Sequence, residues 1–207
     1  MANLTHSVKI ISDVVMVISG YSASFFYCLT LTEKKAKNFM KTFLVILFGF
    51  YIITLVDFTL IDDNFGRNIF NFLSWNKSAF KDYLKSSTNI IPFATVKLFI
   101  KGYFDNNLTL WDTVLNLLGN FAAFMPLTLF VAMFFENCRT YFKVFLAVLL
   151  AVIGIEFLQF IFLTGSTDID DVILNTGGAM LFYWFIRQKK IGKGLSNLTF
   201  KVWENEN

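Results

Sequence analysis

The chain has 207 residues, of which 56% are apolar and 16% are charged, and its net charge is +3. Several apolar stretches are about 20 residues long, which is the length of a helix that crosses a bilayer. Because these stretches are continuous rather than short and alternating, a membrane β-barrel is excluded. The positive charge does not indicate nucleic-acid binding, because the basic residues cluster between and after the apolar stretches, as in the cytoplasmic loops of membrane proteins.

Five stretches are read as membrane helices, of which the fifth is short and begins with polar residues. They comprise residues 8–31, 42–61, 111–135, 142–163 and 171–187. One sizeable connection remains, over residues 62–110. The sequence therefore predicts an all-α fold. It is expected to be a polytopic membrane protein with about five transmembrane helices, forming a single domain over residues 1–207 that ends in a basic cytoplasmic tail, 187–207.

The basic residues predict the orientation of these helices. Lys and Arg concentrate after the first, third and fifth predicted helices, in residues 34–41, 139–143 and 187–193. Since cytoplasmic loops carry the excess of Lys and Arg, the amino terminus is predicted outside the cell and the carboxyl terminus inside. Most acids then lie in the outer half of the protein. Asp13 and Asp57 fall near the outer ends of the first two helices, where they either reach the membrane interface or belong to a site.

Interfacial amphipathic helices are predicted in the long outer connection. Apolar residues recur at helical spacing over residues 69–84, and lysines follow along another face at four-residue intervals. Pro92 marks a bend, after which Lys97 and Lys101 adjoin a second apolar face. Helices of this kind lie in the membrane interface. They form either a basic, aromatic rim that meets anionic lipid or pyrophosphate head groups, or surface helices that merely cover the bundle.

The stretch from Gly154 to Gly178 places ionisable groups inside or beside apolar segments. Such a group in a transmembrane helix is costly to bury, which makes it a functional-site candidate by default. The candidate side chains are those of Glu156, Gln159, Asp168, Asp170, Asp171 and Asn175. Glu156 and Gln159 point the same way from the fourth helix, and Asp168 or Asp170 is expected to cap the fifth. Capping accounts for one or two aspartates, and the group as a whole predicts an outward-facing polar site.

Two amides in the third predicted helix, Asn116 and Asn120, lie four residues apart and therefore share a face. They either belong to the polar site or tie helices together through interhelical hydrogen bonds. Gly119, between them, would let another helix approach closely.

Neither a metal nor another cofactor is predicted. The sequence Asp168-x-Asp170 begins like a calcium loop, but the later ligand positions carry apolar residues. His6 is the only histidine, so the chain has neither a multi-histidine metal site nor a histidine base.

Four sequence motifs occur in order between residues 89 and 178. They are Asn89-Ile90-Ile91-Pro92-Phe93, Asn116-Leu117-Leu118-Gly119-Asn120 with Phe124-Met125-Pro126, Glu156-Phe157-Leu158-Gln159, and Asp168-Ile169-Asp170-Asp171 continuing to Asn175-Thr176-Gly177-Gly178. In this order and spacing they resemble the VanZ-like family of bacterial membrane proteins. The resemblance covers a motif-bearing core of about residues 89–185.

Two positions depart from the pattern of that family. Leu127 stands where a glycine often follows the proline, and Ser166 or Thr167 stands where an arginine is common. If that arginine contacts an anionic ligand, the resemblance implies that this chain binds the ligand differently or relies on Lys97 or Lys101.

The resemblance implies a multi-pass protein of the bacterial cell membrane that lowers susceptibility to teicoplanin-type glycopeptide antibiotics. The polar site would bind a lipid-linked cell-wall precursor or the cationic part of a lipoglycopeptide, without covalent chemistry. The alternative is an outer-leaflet enzyme acting on such a precursor or on a phospholipid. In that enzyme Glu156 would be the general acid or base, and Asp170 and Asp171 would hold a divalent cation. A small transporter is disfavoured, because the sequence has no internal repeat.

Overall fold

The computed structural model describes the backbone of residues 2–63, 67–199 and 202, and their side chains except those of residues 2–14 and 74. The predicted role of Asp13 therefore falls outside the described side chains, as does much of the end of the basic tail. Most described residues are helical, and the fold is nearly all-α, as predicted. The elements in chain order are α1 (Ala2–Leu29), α2 (Glu33–Val56), a π-helical turn (Asp57–Ile61), a 3₁₀ helix (Ile69–Ser74), α3 (Lys77–Ser86), β1 (Thr88–Asn89), α4 (Ala94–Phe104), α5 (Leu110–Ala123), α6 (Met125–Phe134), a 3₁₀ turn (Glu136–Cys138), α7 (Tyr141–Phe162), β2 (Thr167–Asp168), α8 (Ile169–Ile186) and α9 (Lys189–Leu198).

The chain forms two compact units. One consists of Met1–Phe48 and Lys189–Asn207, and within it the Tyr21 hydroxyl donates a hydrogen bond to the Leu198 carbonyl oxygen at 2.7 Å. The other unit is Gly49–Gln188. It contains every residue of the predicted polar site.

Three helical segments are long and apolar enough to cross a membrane: Glu33–Ile61, Leu110–Phe134 and Tyr141–Phe162. They correspond to the second, third and fourth predicted spans. A shorter apolar helical stretch, Val15–Leu29, lies in α1. Among the described residues α8 is just 18 residues long and is not apolar enough to be counted with these segments, because its first turn carries two aspartates. A total of five spans is therefore not confirmed.

Large apolar side chains on these segments point outward. Ile53 is 69% exposed, Leu118 is 59% exposed and Leu150 is 61% exposed. An extensive apolar surface of this kind is rare on a protein that functions in water. It is the surface expected where helices contact lipid, because lipid tails are as apolar as these side chains.

The helix boundaries differ from the predicted ones at two places. α2 begins at Glu33 rather than at residue 42, because the lysine-rich segment before the apolar run is composed mainly of good helix formers. The predicted third helix is broken at Phe124 into α5 and α6. Pro126 lies in the first turn of α6, where the absence of a backbone N–H group is tolerated. Without that group, proline cannot continue the hydrogen-bond ladder of α5.

The long connection contains the predicted helices on either side of a bend at Pro92. α3 is capped by the Asn76 side chain, which accepts a hydrogen bond from the Ala79 N–H group at 2.9 Å. Its Tyr83 is buried, whereas its lysines are exposed, so α3 is amphipathic as predicted. α4 begins at Ala94, directly after the bend.

A short parallel sheet attaches this connection to the turn between α7 and α8. β1 pairs with β2 so that Thr88 faces Thr167 and Asn89 faces Asp168. The Thr167 N–H group donates to the Ser87 carbonyl oxygen at 2.9 Å. The pairing brings the Asn89 motif and the Asp168 motif together although they are far apart in sequence.

α8 packs against α5, α6 and α7. It comes so close to α5 that a Cβ atom added at Gly178 would lie 1.8 Å from the carbonyl oxygen of Phe121. Behind this contact, Ala179 and Tyr183 are completely buried. Gly119, which the sequence predicts as a point of close approach, instead has open space where a Cβ atom would lie.

Candidate functional site

The polar residues predicted for the site are largely buried, whereas many large apolar side chains on the helix surfaces are exposed. Asp170 is 1% exposed and Gln159 is 2% exposed. The buried group also includes Asn120, Glu156, Asp168, Asp171 and Asn175. Burial of polar groups is costly unless hydrogen bonds or opposite charges compensate for the lost water. The partners of each group therefore decide which of them stabilise the fold and which can bind a ligand.

A tight turn after α7 brings the chain back to Glu156. Leu163 has a left-handed conformation at the end of α7, and Gly165 follows with φ of 58°, a backbone region that favours glycine. The turn places the Asp168 N–H group 2.9 Å from Glu156 Oε2, to which it donates a hydrogen bond. One oxygen of Glu156 is thus held by the beginning of α8.

Asp168 connects three elements through its carboxylate. Its Oδ1 atom accepts hydrogen bonds from the Asp170 N–H group and from Asn89 Nδ2, both at 2.8 Å. Its Oδ2 atom accepts a hydrogen bond from the Thr95 hydroxyl group. Asp168 is therefore the predicted cap of α8, and it also attaches α8 to β1 and α4.

Asp170 caps a different helix from the one on which it lies. Its carboxylate accepts hydrogen bonds from the Phe93 N–H group, from the Thr95 N–H group at 2.8 Å and from the Val96 N–H group at 3.1 Å. These groups form the beginning of α4, where Phe93 has φ of 65° and has no side-chain oxygen to cap the helix. A carboxylate is favoured there because it satisfies orphan N–H groups at the positive end of the helix dipole.

Asp168 and Asp170 hold the long connection against α8, since both oxygens of each carboxylate accept hydrogen bonds from the protein. They support the site rather than line it. The remaining predicted residues, apart from Asn116, Lys97 and Lys101, surround a small cavity.

The cavity lies between α5, α7, α8 and the π-helical turn that follows α2, and its free volume is about 10 Å³. That is close to the space needed by one water molecule. Its polar lining consists of Thr59, Arg67, Asn120, Glu156, Gln159, Asp171 and Asn175. The sequence predicted the acids and amides of this set, and the structure brings them together across three helices.

The three amide side chains have a fixed orientation. Gln159 Nε2 donates to the Thr59 carbonyl oxygen at 2.9 Å, and Asn175 Nδ2 donates to the Asp171 carbonyl oxygen at 2.7 Å. Asn120 Nδ2 donates to a carboxylate oxygen of Asp171. Because carbonyl and carboxylate oxygens accept but do not donate, each amide nitrogen must face its partner. The amide oxygens of these residues remain as acceptors.

Arg67 is the charged residue of the cavity that sequence reasoning missed. It reaches in from the long connection, with its Cζ atom 5.5 Å from the centre of the Phe58 ring. Burial lowers the pKa of the Arg67 guanidinium, while the negative charges of Asp171, Glu156 and Asp62 act in the opposite direction. The guanidinium therefore provides a positive charge for the two carboxyl groups of the cavity.

A sequence signal for Arg67 does exist. The chain has three arginines, and Arg139 and Arg187 both lie in the basic segments predicted to be cytoplasmic. Arg67 is the one arginine on the predicted outer side, in a segment that is otherwise acidic and polar. An arginine outside the basic segments is a candidate partner for buried acids.

Besides Asp168 and Asp170, three further predicted site residues lie outside the cavity. Lys97 and Lys101 are exposed on α4, and Asn116 is only partly buried on α5. No three histidine, cysteine, aspartate or glutamate side chains of the described residues are arranged to hold a metal ion.

A family comparison identifies the kind of protein to which this site belongs. The sequence model of the VanZ/LLP1 family matches residues 48–191, which is more than half of the chain. The chain belongs to the VanZ/LLP1 family. The predicted resemblance is thus confirmed, and together with the apolar helices it makes the chain a membrane protein of the VanZ type. No curated protein and no solved structure matches it.

The region matched by the VanZ/LLP1 family contains the complete cavity, including Arg67. Arg67 packs against the α7–α8 turn, with its Cγ atom 3.2 Å from where a Cβ atom on Gly165 would lie. The turn continues with Ser166 and Thr167, the positions of the second departure from the family pattern that the resemblance implies. The Arg67 guanidinium reaches this turn from the long connection.

Proposed function

We propose that this VanZ/LLP1 protein lowers the susceptibility of a bacterium to teicoplanin-type glycopeptide and lipoglycopeptide antibiotics. In this proposal it is a multi-pass protein of the cell membrane, and its polar cavity opens toward the outside. There it binds part of a lipid-linked cell-wall precursor or the cationic part of the antibiotic, and so keeps the antibiotic and its target apart. Family membership and the buried polar cluster support the proposal.

The observation that carries the proposal is a pair of buried amide oxygens. Gln159 Oε1 and Asn175 Oδ1 have no hydrogen-bond partner among the residues that the structure describes. A buried acceptor without a partner costs about 1–3 kcal/mol. If these side chains had only a structural role, apolar residues at the same positions would make the helix bundle more stable. A ligand that donates hydrogen bonds would recover the cost, which favours a binding role.

The small volume of the cavity limits how a ligand binds. Space for about one water molecule admits only a small group, so the bulk of a precursor or antibiotic would rest on the surface around the cavity. The exposed apolar residues before α4 suit such a contact, since Ile90 is 81% exposed and Phe93 is 62% exposed. Lys97 and Lys101 follow them and would contact the phosphates of lipid head groups.

The proposed orientation is tested by labelling single cysteines in intact cells. Cys28 and Cys138 are first replaced by serine, and Asp105→Cys or Lys190→Cys is then introduced at an exposed position. A membrane-impermeant maleimide is expected to label the cysteine at position 105 in intact cells. It should label the one at position 190 only after permeabilisation. The opposite result would place the outer connection in the cytoplasm and the cavity on the wrong side for this function.

The proposed function is tested by teicoplanin susceptibility in a sensitive Gram-positive host. Wild type is expected to raise the inhibitory concentration, whereas Glu156→Gln and Asp171→Asn lose most of this protection, because each replaces a carboxyl group of the cavity with an amide. The amide in Glu156→Gln still offers an oxygen to the Asp168 N–H group, so the fold should be kept.

Glu136→Gln is the matched control for this test, because it is the same chemical change at a side chain that is 78% exposed and lies outside the cavity. Its protection should equal that of wild type at equal expression. If the cavity variants also protect fully, the cluster is structural and the site assignment fails. If wild type gives no protection, the antibiotic role does not extend to this member.

The enzymatic alternative uses Glu156 as an acid or base and two aspartates as metal ligands. Asp170 is poorly suited to the second role, because both of its oxygens accept hydrogen bonds from α4. Glu156 and Asp171 remain available to such a reaction. The test is whether purified protein converts a lipid-linked precursor and whether a chelator abolishes the conversion. If both are observed, the enzyme is favoured over a binding protein.

A further inference from the structure

The lining of the cavity specifies the chemistry of its ligand, on the assumption that the cavity is the binding site of the proposed function. The amide nitrogens of Gln159 and Asn175 are engaged with backbone carbonyl groups, so only their oxygens are left for a ligand. Both side chains are more than nine-tenths buried. Two unpartnered acceptors therefore lie beside the carboxyl groups of Glu156 and Asp171.

Hydrogen-bond donors satisfy this lining, and its two carboxyl groups favour a ligand that carries positive charge. A phosphodiester or carboxylate group has only acceptor oxygens at neutral pH, and it would meet acceptors and two acids. A primary ammonium group donates three hydrogen bonds, and its head is about the size of a water molecule. Both properties fit a cavity of about 10 Å³ with oxygen acceptors on several sides.

Arg67 already supplies a cation of the same kind. Its guanidinium is a pure donor, lies at the edge of the cavity and interacts electrostatically with Glu156 and Asp171. The lining is thus compatible with a donor cation. An incoming ammonium group would meet the same two carboxyl groups.

We infer that the cavity binds the primary ammonium group of a ligand, which competes with the Arg67 guanidinium for the carboxyl groups of Glu156 and Asp171. An anion site would need Arg67 for affinity, whereas an ammonium site is weakened by it. Removal of the Arg67 charge should therefore lower the affinity of an anion site and raise the affinity of an ammonium site.

The first experiment measures the thermal unfolding of the purified full-length wild-type protein in detergent, followed by the fluorescence of its four tryptophans. Methylammonium chloride is expected to raise the unfolding temperature saturably. Tetramethylammonium chloride, which has the same charge but no N–H donor, should not do so at equal ionic strength. Equal effects of the two salts, or of sodium chloride, would overturn the inference, as would stabilisation by phosphate alone.

The second experiment compares charge variants in the same titration. Arg67→Met should bind methylammonium roughly tenfold more tightly, because a competing positive charge is lost, and Glu156→Gln roughly tenfold more weakly. Lys81→Met, the same loss of charge at an exposed residue of α3, should leave the affinity unchanged. Weaker binding in Arg67→Met would contradict the inference. The wild-type comparison of salts decides the question if this variant does not fold.

The source of the ammonium group is found by repeating the titration in nanodiscs. If ethanolamine-headed lipid competes with methylammonium in a choline-headed bilayer, the ligand is a lipid head group. If it does not compete, the ligand is a soluble or antibiotic-borne amine. A protein that binds methylammonium but gives no protection against teicoplanin would refute the resistance role while keeping this ligand class. Protection without methylammonium binding would support the resistance role and refute this ligand class.

Discussion

Gly178→Ala is expected to abolish folding of the helix bundle. The new Cβ atom would lie 1.8 Å from the Phe121 carbonyl oxygen and 2.7 Å from its carbonyl carbon. Both are backbone atoms of α5, so no side-chain rotation can relieve the overlap. Overpacking of a core usually costs about 1–3 kcal/mol, and a contact that requires two helices to separate should exceed the upper end of that range.

The neighbouring Gly177→Ala provides the matched control for this prediction. It is the same substitution in the same helix, yet nothing lies within 4 Å of the position of its Cβ atom. Replacing glycine in a helix gains about 1 kcal/mol of helix propensity in either case, so this contribution cancels in the comparison. Yield and unfolding temperature in detergent should be unchanged or higher for Gly177→Ala. Similar behaviour of both variants would show that α5 and α8 are not in contact at Gly178.

The polar residues that lie near one another in sequence could be predicted as one site. Glu156 and Gln159 share a face of α7, and Asp171 and Asn175 share a face of α8, so helical spacing alone groups them. The turn between the two helices is short, which brings the two pairs together. The structure adds the cavity between them.

The long-range partners could not be predicted in the same way. Asp170 of α8 contacts the beginning of α4, and Arg67 of the long connection interacts with Asp171 of α8. The two residues of each contact are more than 70 positions apart in the sequence. Spacing on one helix contains no information about such contacts, because they depend on how the connection folds back. The pairing of β1 with β2 fixes that return, and strands of two residues give almost no sequence signal.

The same reasoning explains why one aspartate of the motif is structural and its neighbour lines the cavity. Successive residues of a helix point about 100° apart, so Asp170 and Asp171 face different surroundings. Asp170 faces α4, whereas Asp171 faces Asn120 on α5. Substitutions at the two positions should therefore give different phenotypes.

Asp170→Asn is expected to destabilise the protein strongly rather than to alter ligand binding alone. The carboxylate accepts hydrogen bonds from three backbone N–H groups at the beginning of α4. An asparagine keeps one acceptor oxygen, but its other terminal atom is an amide nitrogen. The N–H donors of that nitrogen would face the backbone N–H donors of α4. With the site 1% exposed, each unsatisfied group costs about 1–3 kcal/mol, so a total of roughly 3 kcal/mol is expected. The unfolding temperature in detergent measures this loss.

Asp105→Asn, at the other end of the same helix, is the control that separates helix capping from the loss of a charge. Asp105 is exposed and follows the last residue of α4, where a negative charge is unfavourable to the helix dipole. Its replacement should therefore be neutral or slightly stabilising. Limited proteolysis adds a second measurement, because release of α4 in Asp170→Asn should expose the segment around Pro92 to cleavage. An Asp170→Asn protein as stable as wild type, with α4 still protected, would mean that the carboxylate does not hold the long connection.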